Sequence, residues 1–169
     1  MRRLLDGLYT GAAALAALCM VALLAAVLTS IAGRKFHFQT PGIDAYAGYL
    51  MAGAGFLALA HTLKRGEHIR VTLVINMLRG RWKKGAELWA LGAASLLALL
   101  FAFYSCKLAW QSHVFNDIST GNDATPLWLP QIAMAVGTIV LAIAFIDEFV
   151  LEILGRRVAP NSGEALRNE

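Results

Sequence analysis

The sequence predicts an all-α integral membrane protein: four transmembrane helices plus a short amphipathic interfacial helix between spans two and three. Three observations carry this. Apolar residues gather in four blocks, 8–31, 45–63, 88–110 and 127–146. Each is close to the roughly 20 residues that a helix needs to cross a hydrocarbon core of about 30 Å. Hydrophobic residues make up 58% of the chain and charged ones 15%, with a mean hydropathy of +0.59, more apolar than a soluble domain of this size. The basic residues, finally, alternate between successive connections.

The first block follows Arg2 and Arg3 and is longer than the apolar core of a secretory signal, so it is expected to be a retained span. The second opens at Asp44 and carries small residues in register at Ala45, Gly48, Ala52 and Gly55. Such a stripe lets helix backbones approach closely where burial from water gives no drive, either within this chain or against a partner. The third block ends near Lys107, which can snorkel to the interface. The fourth begins at Pro126 and Pro130, in a first turn where the backbone N–H groups have no intrahelical acceptor, and carries the small pair Ala133 and Gly137. Together the four make one membrane domain over 1–157, with a polar tail at 158–169. Cys19 and Cys106 fall inside spans and read as small packing residues.

Orientation follows from the cations. Arg2 and Arg3 at the amino end, seven residues from Lys64 to Lys84 in the middle connection, and Arg156, Arg157 and Arg167 in the tail account for twelve of the 15 basic residues. Lys and Arg are retained on the cytoplasmic side, so both termini and the middle connection are expected there, with the other two connections facing outward. This distribution, rather than nucleic-acid binding, explains a pI near 9.3.

The middle connection has its own periodicity. Val71, Val74, Ile75 and Leu78 share one helical face, with Thr72, Asn76, Arg79 and Lys83 opposite. This is a helix too short to span, lying in the interface plane or continuing span two or three. Arg70, Arg79, Arg81, Lys83 and Lys84 would meet anionic lipid headgroups.

Chemistry is sparse. Lys107 near one end is the only charged residue in the four blocks, and no Gly/Pro break repeats between the two halves, as an ion- or substrate-binding transporter core would require. Asp147 and Glu148 follow span four and read as an interfacial pair, with a proton relay as the alternative. His37, His61, His68 and His113 do not share a mid-membrane depth, which argues against haem ligation. No nucleophile–base pair or zinc-ligand spacing is present, so neither catalysis nor a cofactor is expected.

The run Lys64-Arg65-Gly66-Glu67-His68-Ile69-Arg70-Val71 carries an Arg, a Gly and a His-Ile-x-Val. With Pro126, Trp128 and Pro130 before span four, and Asp44 at span two, it resembles the DctQ-like small membrane subunit of tripartite ATP-independent periplasmic (TRAP) transporters. The chain departs from that family's pattern at Thr72, where Asp is common, and at Val136-Gly137, where Pro-Gly is common. The resemblance covers most of 1–157. It implies a non-catalytic subunit in a bacterial inner membrane that scaffolds a separate, large multi-span permease subunit. That transporter would be a sodium-coupled importer of carboxylates supplied by a periplasmic substrate-binding protein. The alternative is a haem- or quinone-linked anchor of a respiratory complex.

Overall fold

The computed structural model describes residues 2–38, 40–65, 81–121 and 123–155. Four helices account for nearly all of them: α1 (Arg2–Phe36), α2 (Ile43–Arg65), α3 (Arg81–Val114) and α4 (Trp128–Ile153). All four are long and apolar enough to cross a membrane. The first and third run past their apolar blocks at both ends; the 35 residues of α1 reach about 52 Å, well beyond the hydrocarbon core. The amphipathic segment 69–79 lies outside the described residues.

Each helix end away from the termini has a local cause. After α1, His37 takes a left-handed conformation (φ 58°) and the Phe38 N–H closes back on the Gly33 carbonyl at 3.1 Å. Gly42 (φ 79°) then turns the chain into α2, its carbonyl accepting from Ala45 at 3.0 Å and Tyr46 at 3.2 Å. Asn116 (φ 52°) plays the left-handed part after α3. Pro126 stands just before α4 and Pro130 in its first turn, and the Pro126 carbonyl accepts from the Leu129 N–H at 3.2 Å.

The helices pack as two antiparallel hairpins, α1 with α2 and α3 with α4, joined through α2 and α4; α1 and α4 touch only lightly. Of the apolar windows, 39% of that in α4 is buried within the chain but only 11% of that in α1, which makes α4 the central helix. One core cluster joins Tyr9, Ala12, Ala60, Leu63, Val140, Leu141 and Ala144; Ala98, Ala102 and Ala142 form another, with Phe145 packed on both. Alanine dominates because close axes leave room for little else. Some buried hydroxyls are satisfied along their own helices, as where Thr138 donates to the carbonyls of Met134 and Ala135 and Ser95 to that of Leu91.

The α2–α4 seam is tightest at Gly137, where a Cβ would lie 2.6 Å from the Phe56 carbonyl carbon and oxygen. Gly53 faces Ala133 across the same seam and has the Cys19 thiol near it. Cys106, expected to be a packing residue, is instead exposed. The reason is that α3 makes its extensive contact with α4 alone and turns most of its circumference outward.

Gly137→Ala should therefore push α2 from α4 and cost about 1–3 kcal/mol of stability, as overpacking does. Gly55→Ala, at a site with nothing within 4 Å, should be neutral or stabilising by up to about 1 kcal/mol through helix propensity. Thermal unfolding of the purified chain in detergent measures both.

Candidate functional site

The ends of the bundle differ in construction. At the end away from the termini, the long connection between α3 and α4 folds back on itself. Ile118 and Pro126 form an antiparallel bridge, the Ser119 N–H donates to the Thr125 carbonyl at 2.8 Å and the Leu127 N–H to the Asp117 carbonyl at 2.9 Å. Asp123 ties this loop to α2. Its carboxylate accepts from the Ser119 hydroxyl at 2.8 Å and the Tyr49 hydroxyl at 3.0 Å, while Thr125 donates to the Tyr46 hydroxyl at 3.0 Å. Desolvation alone would raise the Asp123 carboxyl, but hydrogen bonds from Thr125, Ser119, Tyr49 and its own backbone prevail and bring it down to about 2. Gly42 lets the α1–α2 turn press on this hub, since a Cβ there would stand 2.9 Å from that of Asp123. Alongside, Ser30 donates to Asp44 at 3.0 Å and Arg34 lies 3.6 Å from the same carboxylate, an exposed pair that contributes little.

At the opposite end, Arg65 closes α2 and Arg81 opens α3, so the basic connection springs from one side of the bundle. Gly66, His68, Ile69, Arg70, Val71 and Arg79 lie outside the described residues. Lys83 is half-buried and Lys84 exposed on the first turn of α3. Lys64 pairs with Asp6 and stands 4.6 Å above the Tyr9 ring.

The small residues divide between two roles. Ala133 and Gly137 are spent inside the chain against Gly53 and Phe56, whereas Gly48, Ala52 and Gly55 are exposed on α2, with nothing within 4 Å of where a Cβ would stand on either glycine. Trp128 packs edge-on to His113 at 5.2 Å, and Trp110 flanks the same imidazole at 6.5 Å, an aromatic girdle of the kind found at membrane interfaces. His61 and His113 stand near opposite ends of α2 and α3, and nothing supports the haem-anchor alternative. Sequence reasoning missed the Asp123 hub and the Tyr9–Lys64–Asp6 group. The turn-forming residues around Asp123 marked a loop, but the tyrosines it binds are some 75 residues away.

The family model described as tripartite ATP-independent periplasmic transporters, DctQ component, matches residues 23–155. The chain belongs to the DctQ family. The match runs from within α1 through the end of α4 and includes the α1–α2 and α3–α4 connections. No curated protein matches the chain. DctQ components work with a large permease subunit, DctM, and a substrate-binding protein, so this is the small membrane subunit of a TRAP transporter, a multi-pass protein of the inner membrane.

In this DctQ chain the Asp123 hub should hold the α3–α4 loop at neutral pH. Asp123→Asn leaves one acceptor oxygen where two are used, and should speed hydrogen exchange several-fold at the Ser119 and Leu127 amides. A lowered carboxyl stabilises above its unfolded value of about 3.9 and loses that effect as pH falls towards 2. The wild-type loop should thus show unchanged protection between pH 7 and 5, after correction for intrinsic exchange.

Proposed function

We propose that this DctQ component is the non-catalytic scaffold of a sodium-coupled, binding-protein-dependent importer of a carboxylate-type substrate, and that it braces the large permease subunit in the bilayer. The observation that carries the scaffold role is the exposed trio Gly48, Ala52 and Gly55. α2 uses its other sides to hold α1 and α4, and keeps towards the membrane a face on which a second helix backbone can come close. Apart from Lys107, the apolar blocks carry no charge, which suits a subunit that leaves ion and substrate sites to its partner. Arg65, Gly66, His68, Ile69 and Val71, with Pro126, Trp128 and Pro130, carry the family likeness in sequence.

In this reading both termini and residues 66–80 are cytoplasmic, by the distribution of Lys and Arg. Residues 69–79 lie in the interface plane, Val71, Val74, Ile75 and Leu78 towards the acyl chains and Arg70, Arg79, Arg81, Lys83 and Lys84 towards anionic headgroups. A reporter active only in the periplasm should work when fused at Asn116 and fail at Arg157; the reverse would overturn the orientation.

The scaffold role is tested by reconstituting this subunit, the permease subunit, and both together, each with binding protein, a sodium gradient and a candidate carboxylate. Uptake should require both membrane chains. Gly55→Leu should cut co-purification of the permease by about tenfold, equivalent to about 1.4 kcal/mol, without lowering the stability of the isolated chain. Uptake by this subunit alone, or full uptake without it, contradicts the proposal.

A further inference from the structure

The two helices at the edges of the bundle end alike. α1 packs chiefly on α2 and α3 on α4, and the two do not touch each other. Away from the termini each is closed by the same device: a residue in the left-handed conformation, His37 (φ 58°) or Asn116 (φ 52°), followed by an N–H that reaches back along the helix. That of Phe38 bonds the Gly33 carbonyl at 3.1 Å and that of Asp117 the Ser112 carbonyl at 3.0 Å. This is the Schellman arrangement, and it fixes the residue just before the left-handed one to the helix end. In both helices that residue is a phenylalanine. Phe36 is 72% exposed and Phe115 71%. Leaving such rings in water forgoes the transfer free energy that a phenyl group gains from an apolar setting, so the repetition at both edges points to something that takes them up.

Depth says what that is. On α3, Trp89 and Trp110 lie on one face and are 77% and 69% exposed. Their separation along the helix, about 32 Å, matches the hydrocarbon core, at whose two boundaries tryptophan gathers. Phe115 stands about 7.5 Å beyond Trp110, and Phe36 as far beyond Ile31, where the first apolar block ends. A headgroup layer is about 5–7.5 Å deep on each side of the core, and an ordinary helix tilt of about 20° brings both residues within it. Helical side chains also lean towards the start of their helix, here back towards the membrane. Each cap continues a lipid-facing surface, that of Leu24, Leu28 and Ile31 on α1 and of Phe103 and Trp110 on α3. Lys35 beside the first and Lys107 below the second form no ion pair among the described residues, and both can extend to lipid phosphates. We propose that Phe36 and Phe115 are paired membrane anchors, inserted in the headgroup layer of the leaflet away from the termini, with Lys35 and Lys107 at its phosphates. A protein partner would have to reach both edges of the bundle, whereas lipid surrounds both. The proposal holds for either orientation of the chain in the membrane.

The test attaches a nitroxide to single cysteines in the full chain, with Cys19→Ala and Cys106→Ser removing the native thiols. The labelled chain is reconstituted in vesicles of phosphatidylethanolamine and phosphatidylglycerol, with and without the permease subunit. Electron paramagnetic resonance then compares collisions with oxygen, which concentrates in lipid, and with a nickel chelate confined to water. Leu97→Cys, at a lipid-exposed position within α3, and Thr120→Cys, in the exposed α3–α4 loop, mark the two extremes. Probes at Phe36→Cys and Phe115→Cys should fall between them at matching depths, with most of the nickel collisions seen at Thr120 lost, and should stay there when the permease is present. Nickel collisions at either cap as frequent as at Thr120 would overturn the proposal by leaving that cap in water. Loss of both oxygen and nickel collisions on adding the permease would also overturn it, because a protein would then cover the cap. Should a cap variant fold poorly, as a lowered Tm in detergent reveals, probes at Lys35 and Val114, one residue earlier, carry the same comparison.

Discussion

The close approach of α2 to α4 at Gly137 is the contact on which the rest of the bundle depends. Within a bilayer, lipid tails are as apolar as leucine, so helices gain nothing by hiding apolar surface from one another. They associate through packing and the few polar contacts they can make. Here two helical hairpins share one extensive seam, and its closest point sets the Phe56 backbone against a residue without a side chain. Any larger residue there would hold the hairpins apart. The alanine-rich clusters around Ala60, Ala142 and Ala144 are the continuation of that closeness along the same helices.

With the hairpins fixed, each end of the bundle can carry a defined polar structure. Away from the termini, Asp123 gathers hydroxyls from Ser119 and Tyr49 and so joins the α3–α4 connection to α2. At the other end, Tyr9, Lys64 and Asp147 meet only because α1, α2 and α4 end at one level. Between the ends, the surface is apolar and suited to lipid or to another helix. On α2 it is small-residued, and on α4 it is a line of branched side chains including Ile132, Val136, Ile139 and Val150. The two surfaces offer different contacts: a shallow groove on α2 and a ridged face on α4.

The four long helices, each apolar enough to cross a membrane, were legible because a long apolar block between charged or turn-forming residues has few other physical solutions. The position of α4 was not. Nothing local distinguishes its apolar block from that of α1, and its centrality follows from which faces meet across the chain. The small residues show the same limit: the spacing of Gly48, Ala52 and Gly55 resembles that of Ala133 and Gly137, yet the first set faces out and the second is buried. The Asp123 hub depends on side chains from separate helices, and the grouping of Tyr9, Lys64 and Asp147 on three, so no periodicity could announce either.

The proposed scaffold role works through a surface presented to another protein, and its central claim is that this surface is the open face of α2. Photo-crosslinking in the native membrane tests it most directly. Met51 lies on that face and is 67% exposed, and Leu18 on α1 is 66% exposed, so a photoreactive residue at either has the same freedom to react. From position 51 the account predicts a covalent adduct with the permease subunit, identified by mass spectrometry, and from position 18 only lipid adducts. Permease adducts from Leu18 and none from Met51 would contradict it.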